Sequence, residues 1–462
     1  MKPPAFLRRA TAALTATALV LAVHASASER SVDWDLVPEI LARIQAPTFP
    51  DRVYPITEYG AVADGTTDNT VAIRRAIQAC AAAGGGRVLV SGGVFLTGPV
   101  HLESNVELHV AEGATLKFDP DPKKYMPVVL TRFEGTECMN FSPLIYAFEK
   151  ENIAVTGKGT LDGSASTDNW WSLHRTKPGS TVNPRASYDR LIDMGDRGVP
   201  VHERVFGDGW VLRPNFLQPF RCRNVLIEDV TIVNSPMWVI HPVYSRNVTV
   251  RGVRVISHGP NNDGCNPDSS EDVLIENCLF DTGDDCIAVK SGKNADGRRV
   301  GIPSQNIVIR NCEMRDGHGG VVLGSEVSGG VRNVFAENCR MDSPNLDRAL
   351  RLKTNSERGG LIENIFMRDV EVGRVAHSVL TLDLVYWRVY EGEFPPLVRN
   401  VRMERVTSAS SPRALSIVGT PHSRVENVQV IDCVFRGVES ADELAHTGDI
   451  LLRNVRIEPV KR

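Results

Sequence analysis

The chain has 462 residues, a formal net charge of -4 and 42% hydrophobic residues. That composition supplies a large core and speaks against a nucleic-acid partner, which calls for a basic face. No run of like charges is long enough to form an interaction tail.

The N-terminus has the pattern of an export leader. Lys2, Arg8 and Arg9 precede an apolar stretch from Ala10 to Val23, and Ala25-Ser26-Ala27 follows. Charged, apolar and small-residue regions in this order make a secretory signal. The stretch is too short and too rich in Ala and Thr to span a bilayer comfortably, and no later segment reaches spanning length. Residues 1–27 are expected to be a signal peptide, and the mature chain to lack a membrane span and to act in the periplasm or outside the cell. Residues 28–50 form an extension without a predicted element. From 51 to 462 the chain is expected to be one domain.

Residues Asn69 to Ala83 have helical spacing, with Ile73, Ala76, Ile77 and Cys80 on one face, and Gly84-Gly85-Gly86 ends the helix. Residues 164–221 carry Trp170, Trp171, Tyr188 and Trp210 but no repeat, and are expected to rise as a loop insert that helps build a binding site. An imperfect repeat dominates the remainder. It reads NVLIEDV from Asn224, NVTVRGV from Asn247, DVLIENC from Asp272 and NIVIRNC from Asn306, then NVFAENC, NIFMRDV, NVRMERV and NVQVIDC. Weaker copies start at Asn105 and Asn152. Each copy alternates apolar and polar residues, as a half-buried strand does. Short strands with recurring phrasing predict an all-β fold, a single-stranded right-handed parallel β-helix whose coils bury their faces on one another. The predicted helix would then cap its open N-terminal end. The nine cysteines include no CxxC pair, and four of them close repeat phrases, so buried free thiols are expected.

Two phrases between repeats carry acidic groups: GPNNDGCNPDSS with Asp263, and DTGDDCIAVKSG with Asp284 and Asp285. Positions 263 and 284 lie about one bare coil apart, which stacks them roughly 5 Å from each other. Carboxylates this close split their pKa values and can serve as acid and base; the same cluster could instead hold calcium or simply make turns. His318 sits between glycines on a turn, and Arg351 and Lys353 share one strand face. Two cations near three carboxylates suit an anionic sugar, although basic pairs are common on solvated faces too.

Taken in order, Asn261-Asn262-Asp263, Gly283-Asp284-Asp285, Gly317-His318-Gly319 and Arg351-Leu352-Lys353 resemble the signature of the polygalacturonases, glycoside hydrolase family 28. Asn262 stands where that family has Thr, and Leu352 where it has Ile. Ile56 to Gly65 is similar to the family's first coil, and KSG with ADGRR resembles its bacterial, exo-polygalacturonase-like branch. The resemblance implies a pectin-lyase-like solenoid with an open cleft, and inverting hydrolysis of α-1,4-galacturonosidic bonds in polygalacturonate or pectin. It implies Asp284 as proton donor, Asp263 and Asp285 as bases for water, His318 beside the donor, and Arg351, Lys353 and Asn262 on the substrate, with neither metal nor cofactor. Adjacent Asp284 and Asp285 would point oppositely on an ideal strand, so Gly283 is expected to supply a bend. The insert at 164–221 and the segment Lys293 to Ser304 could close one end of the cleft and favour release of single sugars. A hydrolase of rhamnogalacturonan or decorated galacturonan, a calcium-dependent pectate lyase and a non-catalytic β-helix that binds carbohydrate are the alternatives.

Overall fold

Each repeat copy becomes a strand, and the strands stack in parallel. The chain is seen here as a computed structural model that describes residues 32–174, 183–207 and 209–460; the leader expected over 1–27 lies outside them. Strand Arg223–Glu228 pairs with Arg246–Arg251, then with Glu271–Glu276, Ser304–Arg310, Val331–Glu337, Leu361–Arg368, Leu397–Glu404 and Val425–Ile431. The register aligns like with like: Val225, Val248, Val273, Ile307, Val334, Ile365, Val401 and Val428 form one buried column. Two 13-stranded sheets run the length of the right-handed parallel β-helix.

The Asn of each repeat has two jobs. Asn224, Asn247, Asn306, Asn333, Asn364, Asn400 and Asn427 all take the left-handed conformation, φ 50 to 60°, that Asn tolerates best after Gly. Each side-chain amide also donates to the Asn or Asp one coil below, as in Asn247 to Asn224 at 2.7 Å and Asn427 to Asn400 at 2.8 Å. The ladder thus ties successive coils together along the edge of the sheet. Asp272 breaks the Asn series and brings a charge. It is met by Arg43 at 2.8 Å, from helix α1 (Leu36–Arg43) in the N-terminal extension, which packs on the outer face of this sheet. Trp34, edge-on to Phe335 at 5.4 Å, ties the extension down further.

Helix α2 (Thr70–Ala82) buries Ile73, Ala76, Ile77 and Cys80 against the first coil, so the expected cap is present. All nine cysteines are buried and free. The third face of the solenoid is a sheet of three strands, 100–101, 145–148 and 217–220, and a later one of six, from Ile287–Val289 onward. Single bridges, Leu217 to Ile240 to Cys265 to Ile287, join the two. The acidic phrases lie along this interrupted face.

Two excursions rise over it. In one, residues beyond Asp162 form a short 3-10 turn at Trp170–His174 and helix α3 (Pro184–Asp196), and the coil resumes with strand Leu217–Phe220. In the other, strands Val129–Phe133 and Thr136–Asn140 form an antiparallel hairpin, and Val205–Phe206 adds to its edge. Glu134 and Gly135 turn the hairpin with positive φ, 41° and 79°. The segment after Gly292 contains helix α4 (Asn294–Val300).

Candidate active site

The coil stacking brings the three aspartates together. Asp284 and Asp285 lie in the turn between strand Leu279–Thr282 of one sheet and strand Ile287–Val289 of the next. Gly283 opens the turn because the coil below is too close for a side chain: a Cβ there would stand 2.4 Å from the Gly259 carbonyl oxygen. Asp263 comes from the coil below, and carboxylate oxygens of all three residues lie within 4.8 Å of one another.

Each carboxylate has its own cation. Lys353 Nζ donates to Asp285 Oδ2 at 2.7 Å, with Arg351 3.7 Å from Oδ1. Lys290 Nζ lies 3.3 Å from Asp263 Oδ2, which also accepts from Asn266 Nδ2 at 2.8 Å. The imidazole of His318 meets Asp284 Oδ1 at 2.9 Å through Nδ1, and the Asp285 backbone N–H donates to the same oxygen. Arg351 in turn donates to the His318 carbonyl at 3.2 Å. Exposure separates the three acids: the Asp284 side chain is 17% exposed, against 3% for Asp263 and 1% for Asp285. Asp284 is the carboxyl that faces the cleft. Asp285 Oδ1 is buried and accepts no hydrogen bond among the described residues, which leaves it a receptor for one water.

The environments drive the acids apart. Burial, reinforced by the charges of Asp284 and Asp285 and opposed by Lys290, pushes Asp263 up to about 8. Burial would raise Asp284 too, but the His318 hydrogen bond and the charges of Lys353 and Lys290 outweigh it and hold that carboxyl well below the usual range. His318 is raised in return, first by its hydrogen bond to Asp284. Asp263 is thus the acid driven toward its protonated form, and Asp284 the one driven toward its ionised form.

Asn262 is a correction. It is fully buried; its Oδ1 accepts from Ser257 and the Gly259 N–H, and its Nδ2 donates to Met237 and Pro260 carbonyls. Its polar atoms are spent on the turn that presents Asp263, so it shapes the loop and does not reach a substrate. Lys353 is likewise buried, with its amine on Asp285. Lys290 was missed in the sequence. It is buried between Asp263 and Glu326, 3.0 Å from the latter, with its amine 4.3 Å from the ring centre of Trp238. A single Lys closing the apolar run CIAV just after paired aspartates was the available signal. Arg213, also missed, holds the Asp263 loop by donating to the Pro236 and Pro260 carbonyls, both at 2.7 Å, and to Asn261 Oδ1 at 2.6 Å. The oxygens of the three aspartates are close enough together to hold a cation, and Lys290, Lys353, Arg351 and His318 stand around them. A second group, His258, Asp281 and Asp316, lies nearer the surface.

The acids line a cleft of about 1010 Å³. On the side of the earlier coils, three segments meet at Lys293: its amine bonds Tyr188 of α3 and lies 3.5 Å from Glu134 of the hairpin, and its backbone N–H donates to Gly135 at 3.0 Å. On the side of the later coils the cleft is lined by Arg348, Arg351, His377, Tyr386 and Trp387.

A sequence model of glycosyl hydrolases family 28 matches residues 209–447, a span that contains every one of these acids and cations. The chain belongs to that family. It is a glycoside hydrolase. This family 28 chain is 47% identical to a hyperthermoactive exopolygalacturonase of Thermotoga maritima, with a TM-score of 0.89 over 92% of this chain and 96% of that one. It is 33% identical to the exo-poly-alpha-D-galacturonosidase of Dickeya chrysanthemi over 73% of this chain, and spans 58% of that protein's length. A probable polygalacturonase of Vitis vinifera is 28% identical over 79% of this chain and 70% of its own. A surface adhesin of Streptococcus pneumoniae, 17% identical with a TM-score of 0.54, shares the fold alone.

Proposed function

We propose that the protein hydrolyses α-1,4-galacturonosidic bonds of polygalacturonate or pectin with inversion, releasing sugars from chain ends. One observation carries the reading: a single cleft-facing carboxyl, Asp284, stands over two buried carboxylates that each hold a cation. Asp284 protonates the glycosidic oxygen. Asp263 and Asp285 hold the attacking water, with Asp285 Oδ1 as its free acceptor, and take its proton. His318 positions Asp284. Arg351 binds a sugar carboxylate beside the bond; Lys353 does the same from its place on Asp285.

The reactive form carries the proton on Asp284 and not on Asp263, yet the cluster holds the same total number. A bound galacturonate carboxylate adds negative charge beside Asp284 and weakens the grip of Lys353 and His318, which favours moving the proton there. Because one proton must be present, kcat/KM is expected to fall about tenfold per pH unit above pH about 8, where Asp263 would release it. A pH–rate profile on oligogalacturonides checks this.

The acids lie closer than the roughly 6.5–9.5 Å common in inverting enzymes. Retention would need a carboxylate in bonding reach of the anomeric carbon. Asp263 and Asp285 are buried and tied to Lys290, Asn266 and Lys353, so a water must bridge the gap. The meeting of α3, the hairpin and α4 at Lys293 supports a closed cleft end and thus exo action, as do the exo-acting relatives. The cations around the acids favour an anionic chain over a neutral one. Among the described residues no helix is long and apolar enough to cross a membrane; the leader expected over residues 1–27 would export the chain to where the polymer lies. Digestion of polygalacturonate followed by proton NMR tests the proposal. Monomer appearing first as the β-anomer is expected. An α-anomer overturns inversion, an early ladder of mixed oligomers overturns exo action, and no release from galacturonan overturns the substrate.

A further inference from the structure

The cleft does not end at its cations. Beyond strand Ser378–Asp383 the chain turns through Tyr386, Trp387 and Arg388, and both Tyr386 and Trp387 line the cleft. Arg351 and Lys353 lie 5.8 and 5.6 Å from the Tyr386 ring centre, and Trp387 follows at 5.3 Å from Tyr386, inclined 58° to it. Trp387 is 75% exposed, the most exposed large apolar side chain described. A surface position alone would not explain its setting. Trp387 and Arg388 both hold positive φ, 61° and 59°, a conformation that few residues other than Gly, Asn and Asp adopt. The turn is nevertheless fixed: the Tyr386 N–H donates to Thr354, and Asn355 Nδ2 donates to the Tyr386 carbonyl, each at 3.1 Å. A fixed, strained turn that holds an indole out over a cleft is a feature of binding sites.

The coil spacing places this ring relative to the acids. Strand Ile287–Val289 follows Asp285 directly, and strand Ser378–Asp383 is three pairings further on. At about 4.8 Å per pairing, the backbone strand that leads into Trp387 lies about 14 Å along the solenoid from the strand after the acids. That is farther than one pyranose ring reaches.

We propose that Trp387 is a stacking platform for a sugar ring of the galacturonan chain at least one residue removed from those flanking the cleaved bond, on the later-coil side of the cleft. The apolar face of the pyranose lies on the indole, while Arg348 and Arg351 face the acidic edge of the chain. The ring adds affinity for long chains without touching the reacting atoms. This rests on the galacturonan reading above.

The test compares kcat/KM for digalacturonate and pentagalacturonate in the wild-type chain, in Trp387→Ala and in Trp387→Phe. A dimer fills only the positions beside the bond. Trp387→Ala is expected to lower the pentamer-to-dimer ratio roughly 3- to 10-fold, the range that loss of an aromatic stacking contact produces, mainly through KM for the pentamer. Trp387→Phe keeps a ring and should restore most of the ratio. An unchanged ratio in Trp387→Ala, whether both substrates are unaffected or both are slowed alike, overturns the platform while leaving the galacturonan reading in place. A wild-type chain that cleaves neither substrate overturns that reading and the platform with it.

Discussion

Asp284→Asn is expected to leave a folded protein that hydrolyses polygalacturonate about 10²- to 10⁴-fold more slowly, the range for loss of a positioned general acid. The amide has the carboxylate's shape, and its oxygen can still accept from the Asp285 N–H, as Asp284 Oδ1 does now at 2.9 Å. What it lacks is a proton to give to the glycosidic oxygen. The loss should appear in kcat with little change in affinity for the uncleaved chain, since the bond-flanking cations remain. A second readout is independent of turnover. His318 is raised chiefly by its hydrogen bond to Asp284, so its titration, followed by NMR, should move back down toward the ordinary histidine value in the variant. A variant slowed less than tenfold would assign the proton to another group, with His318 the first to examine.

How much of this was legible in the sequence differs from residue to residue. The repeat was, because the left-handed position and the amide ladder both favour Asn, with Asp272 the exception among the copies from Asn224 onward, so the phrase recurs from coil to coil. The three aspartates, His318, Arg351 and Lys353 were visible as phrases, and coil stacking brings them together, while Lys290 and Arg213 were missed. The hairpin at Val129–Asn140 was not, although Glu134-Gly135 marks its turn: its strands are short, and they pair with each other and not with the repeat. Asn262 was placed on the substrate only by the resemblance; its side chain turns inward, onto Ser257 and the Met237 carbonyl, which adjacent residues in a tight turn are free to do. The opposite shifts of Asp263 and Asp284 follow from burial and from the His318 hydrogen bond, neither of which a sequence encodes locally.

Lys290 is a buried charge whose removal should be felt in stability. Burial would lower its pKa, but Glu326, Asp263 and Asp285 keep it charged; burial would raise Glu326, and Lys290 is the foremost cation that holds it ionised instead. Lys290→Met keeps the apolar stem over Trp238 and removes only the charge. Glu326 and Asp263 are then buried without their cation, and the chain should lose about 3–5 kcal/mol on denaturant unfolding, the usual result of breaking a buried pair from one side. Activity should fall for a different reason. Lys290 lowers the Asp263 pKa, so without it Asp263 binds its proton more tightly and the reactive form, with that proton on Asp284, becomes rarer. The alkaline limb of kcat/KM should accordingly move to higher pH while kcat drops. Adding Glu326→Gln to Lys290→Met separates the two effects, because the amide needs no counter-charge. Stability should partly return while the rate does not. Recovery of both together would mean that Lys290 acts only by holding the fold, and recovery of neither would mean that Glu326 is not its decisive partner.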